Sequence, residues 1–186
     1  MTKSLRARFA KVKLLLCDVD GVLTDGCILL GSGREVKKFH IRDGLGLRIL
    51  SRAGIRVGWI SNRPSPATSE RARELKIDYV HQGAGSKVDV ARGMMAQAGV
   101  TWTEVCYVGD DIVDLAMVGQ AGVGVAVANA VEELKAQADY VTQADGGNGA
   151  VREVVEAILS AQSKWSGVVG EYAIGTPPEN GKAMTS

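Results

Sequence analysis

The sequence predicts an α/β fold: a three-layer Rossmann-like sandwich with a parallel sheet and a protruding β-hairpin. Three observations predict it. Short apolar runs alternate with longer stretches of helical character, the pattern of strands linked by crossover helices. Acidic, glycine and hydroxyl residues fall just after several of those runs, where open α/β sheets build their sites. Finally, Gly31-Ser32-Gly33 separates two strand-like segments early in the chain, a hairpin signal.

Taken in order, residues 12–17 read as a first buried strand, and 56–60, 79–81, 105–108, 123–127 and 140–141 as later ones. Helices are expected over 44–53 behind Asp43 as N-cap, 66–76 behind Ser65, and 87–98 behind Ser86 with Asp89 completing a capping-box pattern. Further helices are expected over 112–118, 131–137 and 150–163. The hairpin occupies about 27–41. Residues 1–165 make one domain, and 166–186, rich in Gly, Pro, Ser and Thr towards its end, reads as a flexible tail.

Composition narrows the function classes. The 186 residues suffice for one domain with a sizeable core, and 46% of them are apolar. With 22 basic and 21 acidic residues, no gross charge recruits nucleic acid or a membrane surface, so any anion site is local. Cys17, Cys27 and Cys106 form no C-x-x-C pair, which favours reduced thiols and a cytoplasmic protein over disulfides or zinc. The basic N-terminus leads into an apolar run too short for a signal peptide, because Asp18 and Asp20 interrupt it, and no run approaches a membrane span.

Four features carry chemistry. Asp18-Val19-Asp20-Gly21 follows the first strand; carboxylates two apart share a face there, one able to attack phosphorus while the other handles protons. Ser61 follows RVGWI, where its hydroxyl suits a phosphoryl oxygen. Lys87 opens a helix after a Gly-rich stretch, and a lysine at a helix N-terminus makes an anion site. Gly109-Asp110-Asp111-Ile112-Val113-Asp114 follows VCYV and offers the carboxylates that Mg2+ prefers. Each alone is compatible with a turn, a cap or a solvated charge. Their order is what carries weight.

In that order, residues 13–161 resemble the haloacid dehalogenase-like phosphatase superfamily. The resemblance implies that Asp18 forms an aspartyl-phosphate and that Asp20 protonates the leaving oxygen and then activates water. Ser61 and Lys87 would hold the transferring group. Mg2+ would sit between Asp18, the backbone carbonyl of Asp20, and Asp110, with Asp111 and Asp114 behind them and Asp114 orienting Lys87.

The spacing from Asp20 to Ser61, and from there to Lys87, leaves no room for a cap. DVDGVLTDG, FHIRDGLGLRIL, GDDIVD, ADYVT and GGNGAVREV resemble a capless subgroup acting on 2-keto-3-deoxy sugar acid phosphates in lipopolysaccharide-precursor synthesis. An eight-carbon substrate is the leading expectation and a nine-carbon homologue the alternative. By that resemblance His40, Ile41, Arg42, Asp43, Gly44, Arg48, Arg63 and Arg71, with Asp20 and Lys87, bind the sugar acid phosphate. Two departures stand out: Ser61-Asn62-Arg63 where the subgroup has Thr-Gly-Arg, and Gly146-Gly147-Asn148-Gly149 where it has Gly-Gly-Arg-Gly. The resemblance also implies a homo-oligomer, a tetramer. The hairpin's apolar residues Ile28, Leu29, Leu30, Val36, Phe39 and Ile41 favour such assembly, since an isolated ribbon buries little.

Rival classes fit less well. A non-catalytic assembly module would dispense with Asp18 or Asp20. A prenyl-transferring reading of Asp110-Asp111-x-x-Asp114 needs an all-helical bundle, and Gly83–Lys87 fails the phosphate-loop pattern of nucleotide switches. His40 and His81 lack partners at metal-ligand spacing.

Overall fold

A computed structural model describes residues 1–31 and 34–175. The elements run α1 (Lys3–Phe9), β1 (Leu14–Cys17), β2 (Leu29–Gly31), β3 (Arg34–Val36), α2 (Ile41–Arg52), β4 (Arg56–Ser61), α3 (Pro66–Leu75), β5 (Tyr79–Gln82) and α4 (Lys87–Ala98). There follow β6 (Val105–Gly109), α5 (Leu115–Gln120), β7 (Val123–Ala126), α6 (Glu132–Gln137), β8 (Tyr140–Val141), α7 (Ala150–Ala161) and α8 (Trp165–Ala173). Single 3₁₀ turns precede β6 (Trp102–Glu104) and α5 (Ile112–Asp114).

Six strands form one parallel sheet in the order β5-β4-β1-β6-β7-β8, while β2 and β3 pair as a separate antiparallel hairpin. The central strands are apolar throughout because helices cover both faces; every residue of β1 and β6 is buried. Trp59, Tyr107 and Phe9 are the bulkiest fully buried side chains. On α7, Val151, Val154, Val155, Ile158 and Leu159 supply the buried stripe, at the spacing that puts one helix face against its neighbours. From β1 the chain runs to one side through β4 and β5, then crosses back to β6. This reversal opens a crevice at the carboxyl ends of β1, β4 and β6.

The local signals behave as their chemistry requires. Ser65 caps α3, accepting from the Thr68 amide with Pro66 at the first helical position, and Ser86 caps α4 through the Asp89 amide. The reciprocal half of a capping box is not seen at Ser86. Four expectations need correcting. Helix α2 begins at Ile41 rather than residue 44, with His40 as its N-cap, and Asp43 caps a different helix: its carboxylate accepts the Gly149 amide at 3.1 Å and the Arg152 amide at 2.7 Å at the start of α7. The helix expected over 112–118 divides into a 3₁₀ turn and α5. Residues 165–173 are helical instead of a loose tail: Val168 is buried, and Glu171 pairs with Arg52 of α2 at 2.9 Å. Helix α1 has no counterpart among the expected elements. The rest of the expected tail, residues 176–186, lies outside the described residues.

The hairpin is tied down at its stem and apolar at its surface. Phe39 stacks on Trp59 with ring centroids 6.2 Å apart, so it belongs to the domain rather than to a free apolar face. Ile28, Leu29, Val36 and Ile41 are exposed. The turn at Ser32 and Gly33 and the side chain of Leu30 lie outside the described residues.

Candidate active site

Asp18 is the first residue beyond β1. Its amide donates to Val108 O at 3.0 Å, which extends the β1–β6 pairing by one step and fixes where the side chain emerges. The following loop turns back sharply. Gly21 has φ +87°, and a Cβ there would overlap the Asp110 carboxylate, so only glycine lets the two loops approach. The Thr24 hydroxyl accepts from the amides of Gly21 and Gly26 and donates to Val19 O, pinning the loop from within.

Lys87, at the first position of α4, brings the charges together. Its buried ammonium lies 2.9 Å from Asp18 Oδ2 and 2.7 Å from Asp114 Oδ1. Asp114 is fully buried and both its oxygens are used: Oδ1 also accepts the Tyr107 hydroxyl at 2.5 Å, and Oδ2 accepts the Asp110 amide at 3.0 Å. Asp18, Asp110 and Asp114 each present an oxygen within 4.8 Å of the others. Asp114 is saturated and enclosed, so Asp18, whose Oδ1 meets only the neighbouring Val19 amide at 2.7 Å, and Asp110 are the groups placed to hold a cation. Asp110 Oδ1 is buried and makes no hydrogen bond. An orphaned carboxylate oxygen beside a second carboxylate fits a hard divalent ion that completes its shell with water and phosphate.

The electrostatics agree. Burial, then the Asp114 charge, raises the Asp18 carboxyl to about 6, although Lys87 opposes the rise. Burial, then Asp18 and Asp114, lifts Asp110 to about 7. Burial pulls the Lys87 ammonium down, but its two carboxylate neighbours more than offset this and its pKa is raised. Their shared contact favours the charged form of both groups, yet at Asp18 burial and the Asp114 charge outweigh it. The lysine faces two carboxylates, whereas Asp18 faces one lysine and two acids in a buried place. The cluster lacks positive charge, and a bound cation would supply it.

Ser61 ends β4 and is buried; its hydroxyl accepts the Arg63 amide at 3.1 Å, closing the turn in which Asn62 stands. Arg63 pairs with Glu35 of the hairpin. Asp20, outside the carboxylate cluster, has its Oδ1 2.6 Å from Lys37 Nζ. Asp111 is exposed and caps the 3₁₀ turn, outside the carboxylate cluster, so of the two acids expected behind the metal only Asp114 stands beside it. His40 and Ile41 line a cleft with Asn129 and the Gly146–Asn148 segment, which packs against the Gly21 backbone. The Arg71 guanidinium lies over Gly44, where a Cβ would collide with it, and pairs with Glu74 at 2.7 Å. Arg42 and Arg48 are exposed on α2. Asp43 is enclosed with both oxygens engaged, which makes it a brace for α7 rather than a surface group.

Tyr107, Thr24, Glu35 and Lys37 escaped sequence reasoning. Tyr107 sits inside an apolar strand and reads as core. Glu35 and Lys37 did carry a signal, since residues two apart in an extended segment share one face.

The haloacid dehalogenase-like hydrolase profile matches residues 62–154. A 3-deoxy-D-manno-octulosonate 8-phosphate phosphatase KdsC from Yersinia pestis is 42% identical over 88% of each chain. The chain belongs to this phosphatase family. A crystal structure of the family's enzyme from Moraxella catarrhalis, in complex with magnesium ion, phosphate ion and KDO, superposes with a TM-score of 0.90 at 39% identity, covering 92% of this chain and 99% of that one. The cobalt-bound form from Haemophilus influenzae superposes at 0.83 with 41% identity over 86% of this chain and 94% of its own. Family membership accounts for the parallel six-stranded sheet without a cap, and the protein is a phosphatase.

Proposed function

We propose that this protein hydrolyses 3-deoxy-D-manno-octulosonate 8-phosphate to the free sugar acid and phosphate, with Asp18 as nucleophile and Mg2+ as cofactor. The observation that carries this reading is the junction of Asp18, Lys87, Asp110 and Asp114 at the mouth of the sheet, in a chain whose Moraxella relative was crystallised with magnesium, phosphate and KDO. Mg2+ held by Asp18, Asp110 and the Asp20 carbonyl would offset the repulsion between these carboxylates and an incoming phosphate dianion.

The remaining work falls to the chain. An Asp18 oxygen attacks phosphorus and the bond to the sugar oxygen breaks, while Asp20 donates its proton to that oxygen. Asp20, now ionised, takes a proton from water, which attacks the phosphorus of the aspartyl-phosphate. Phosphate departs and the Asp18 carboxylate is restored. Lys87, held between Asp18 and Asp114, keeps positive charge against the phosphoryl oxygens in both steps, and the Ser61 hydroxyl donates to one of them. Arg63 and Arg71, with Arg42, Arg48, His40, Ile41 and Gly44, suit the sugar acid, whose carboxylate matches a guanidinium fork.

The exposed Ile28, Leu29, Val36 and Ile41 support a homo-oligomer, a tetramer by analogy, in which a neighbouring hairpin closes the uncapped site. Free Cys17, Cys27 and Cys106 support a reducing, cytoplasmic setting, and among the described residues no helix is long and apolar enough to cross a membrane. Phosphate release from matched eight- and nine-carbon substrates, with and without Mg2+, tests the assignment. Preference for the nine-carbon sugar, or full activity after chelation, would overturn it.

A further inference from the structure

The Lys37 side chain is 1% exposed, yet it belongs to the stem of a hairpin that projects from the domain. Its ammonium lies 2.6 Å from Asp20 Oδ1 and 3.8 Å from Glu35 Oε1. Glu35 is itself held from the other side, accepting the Ser65 hydroxyl at 2.7 Å and pairing with Arg63. Val36 between them is exposed, and Lys38 turns outward to Asp25 at 2.6 Å. One face of the extended stem is therefore a buried charged row, Glu35 and Lys37, aimed at the loop that carries Asp20. Burying an ammonium is costly unless carboxylates compensate it, so an incidental surface lysine would have stayed in water.

We propose that Lys37 is a positioning residue for Asp20. The inference rests on the reading of Asp20 as general acid and base. Proton donation in the transition state needs the donor oxygen within hydrogen-bond reach of the leaving oxygen, in one orientation. The Asp20 carboxylate is not fully enclosed, with 28% of the side chain exposed, and a short side chain on a loop has several rotamers. By occupying Oδ1, Lys37 selects one of them and leaves Oδ2 as the oxygen that carries the transferred proton. Glu35 fixes Lys37 in turn and ties it to the Ser61–Ser65 turn. The two loops that handle the leaving group and the phosphoryl group are thereby braced through the hairpin.

The test exploits the leaving group. Alkoxide departure from a sugar phosphate needs protonation, whereas nitrophenolate departure from p-nitrophenyl phosphate does not. In single-turnover measurements with Mg2+, Lys37→Met is expected to slow phosphoryl transfer from the sugar phosphate about 10- to 100-fold. Transfer from p-nitrophenyl phosphate should fall less than about threefold, with KM for both within about twofold, as expected when only the acid is misplaced. Lys37→Gln, which retains a donor, should give an intermediate loss with the same selectivity. Asp20→Asn should show the same leaving-group dependence, and adding Lys37→Met to it should change nothing further. Equal losses on both substrates for both Lys37 variants, or additive losses in the Asp20→Asn background, overturn the proposal. If Asp20→Asn itself lacks leaving-group dependence, the fault lies in the reading of Asp20, and the role of Lys37 falls with it. Circular dichroism melts accompany each variant, and the selectivity ratio is independent of how much protein is folded.

Discussion

Replacing Asp18 by Asn should abolish hydrolysis and, without metal, make the protein more stable. The amide keeps the shape of the side chain but cannot attack phosphorus. The stability gain follows from the crowding of the site. Asp18 is 7% exposed, Asp114 and Asp110 crowd it, and its carboxyl is raised from 3.8 to about 6, a difference worth ~3 kcal/mol against the ionised form. Part of that gain is lost because Lys87 then keeps Asp114 as its one charged partner at the site. The expected net gain is ~1–3 kcal/mol, or about 2–12 °C in Tm for a chain of this size. The pH dependence has a definite sign. A carboxyl raised in the folded state contributes stability that is fully present below its unfolded value and lost as pH rises through the folded one. The advantage of Asp18→Asn should therefore be absent near pH 4, develop towards pH 6 and be complete by pH 8. Thermal unfolding in chelator across that range measures it. A variant no more stable than wild type at pH 8 would refute the claim that these carboxylates are held together at a cost to the fold.

Asp114→Ala should act in the opposite direction. It strips Lys87 and the Tyr107 hydroxyl of a buried partner, and breaking such a pair costs ~3–5 kcal/mol, a fall of about 6–20 °C in Tm; an unchanged melt would show that Asp114 braces nothing. Mg2+ affinity should rise with pH up to about 7, because burial and neighbouring acids keep Asp18 protonated to about 6 and Asp110 to about 7, and the metal must displace those protons. Calorimetric titration in buffers of different ionisation heat detects the released protons, and pH-independent affinity would contradict the assignment. Leu29 and Val36 are exposed cross-strand neighbours on the hairpin, so changing both to Ser should dissociate the assembly with little loss of monomer stability. Light scattering reads this directly. A wild-type protein that is an active monomer would remove the role proposed for the hairpin.

The sequence by itself determined the sheet and the order of the chemistry. Runs such as LLLC and VCYVG, short and set between helical stretches, read as strands covered on both faces, and the acidic or hydroxyl residue that follows marks the carboxyl edge of the sheet. Asp18, Ser61 and Asp110 were legible for that reason, and Lys87 and the Ser65 and Ser86 caps from their places at the starts of helical stretches. What the sequence left open depends on partners far along the chain. Asp43 looks like a cap for its own helix, yet the amides it serves belong to residues 149 and 152, brought there by the packing of α2 on α7. WSGVVGEYA reads as a glycine-softened tail until Val168 and Glu171 find the domain. Lys87 meets Asp114 across 27 positions because α4 returns the chain to the centre of the sheet, and Lys37 meets Asp20 because the hairpin folds over its own loop. Periodicity reports which face of an element is apolar. Only the arrangement of the elements decides which charge is buried against which, since that is set by the register of strands and loops distant in sequence.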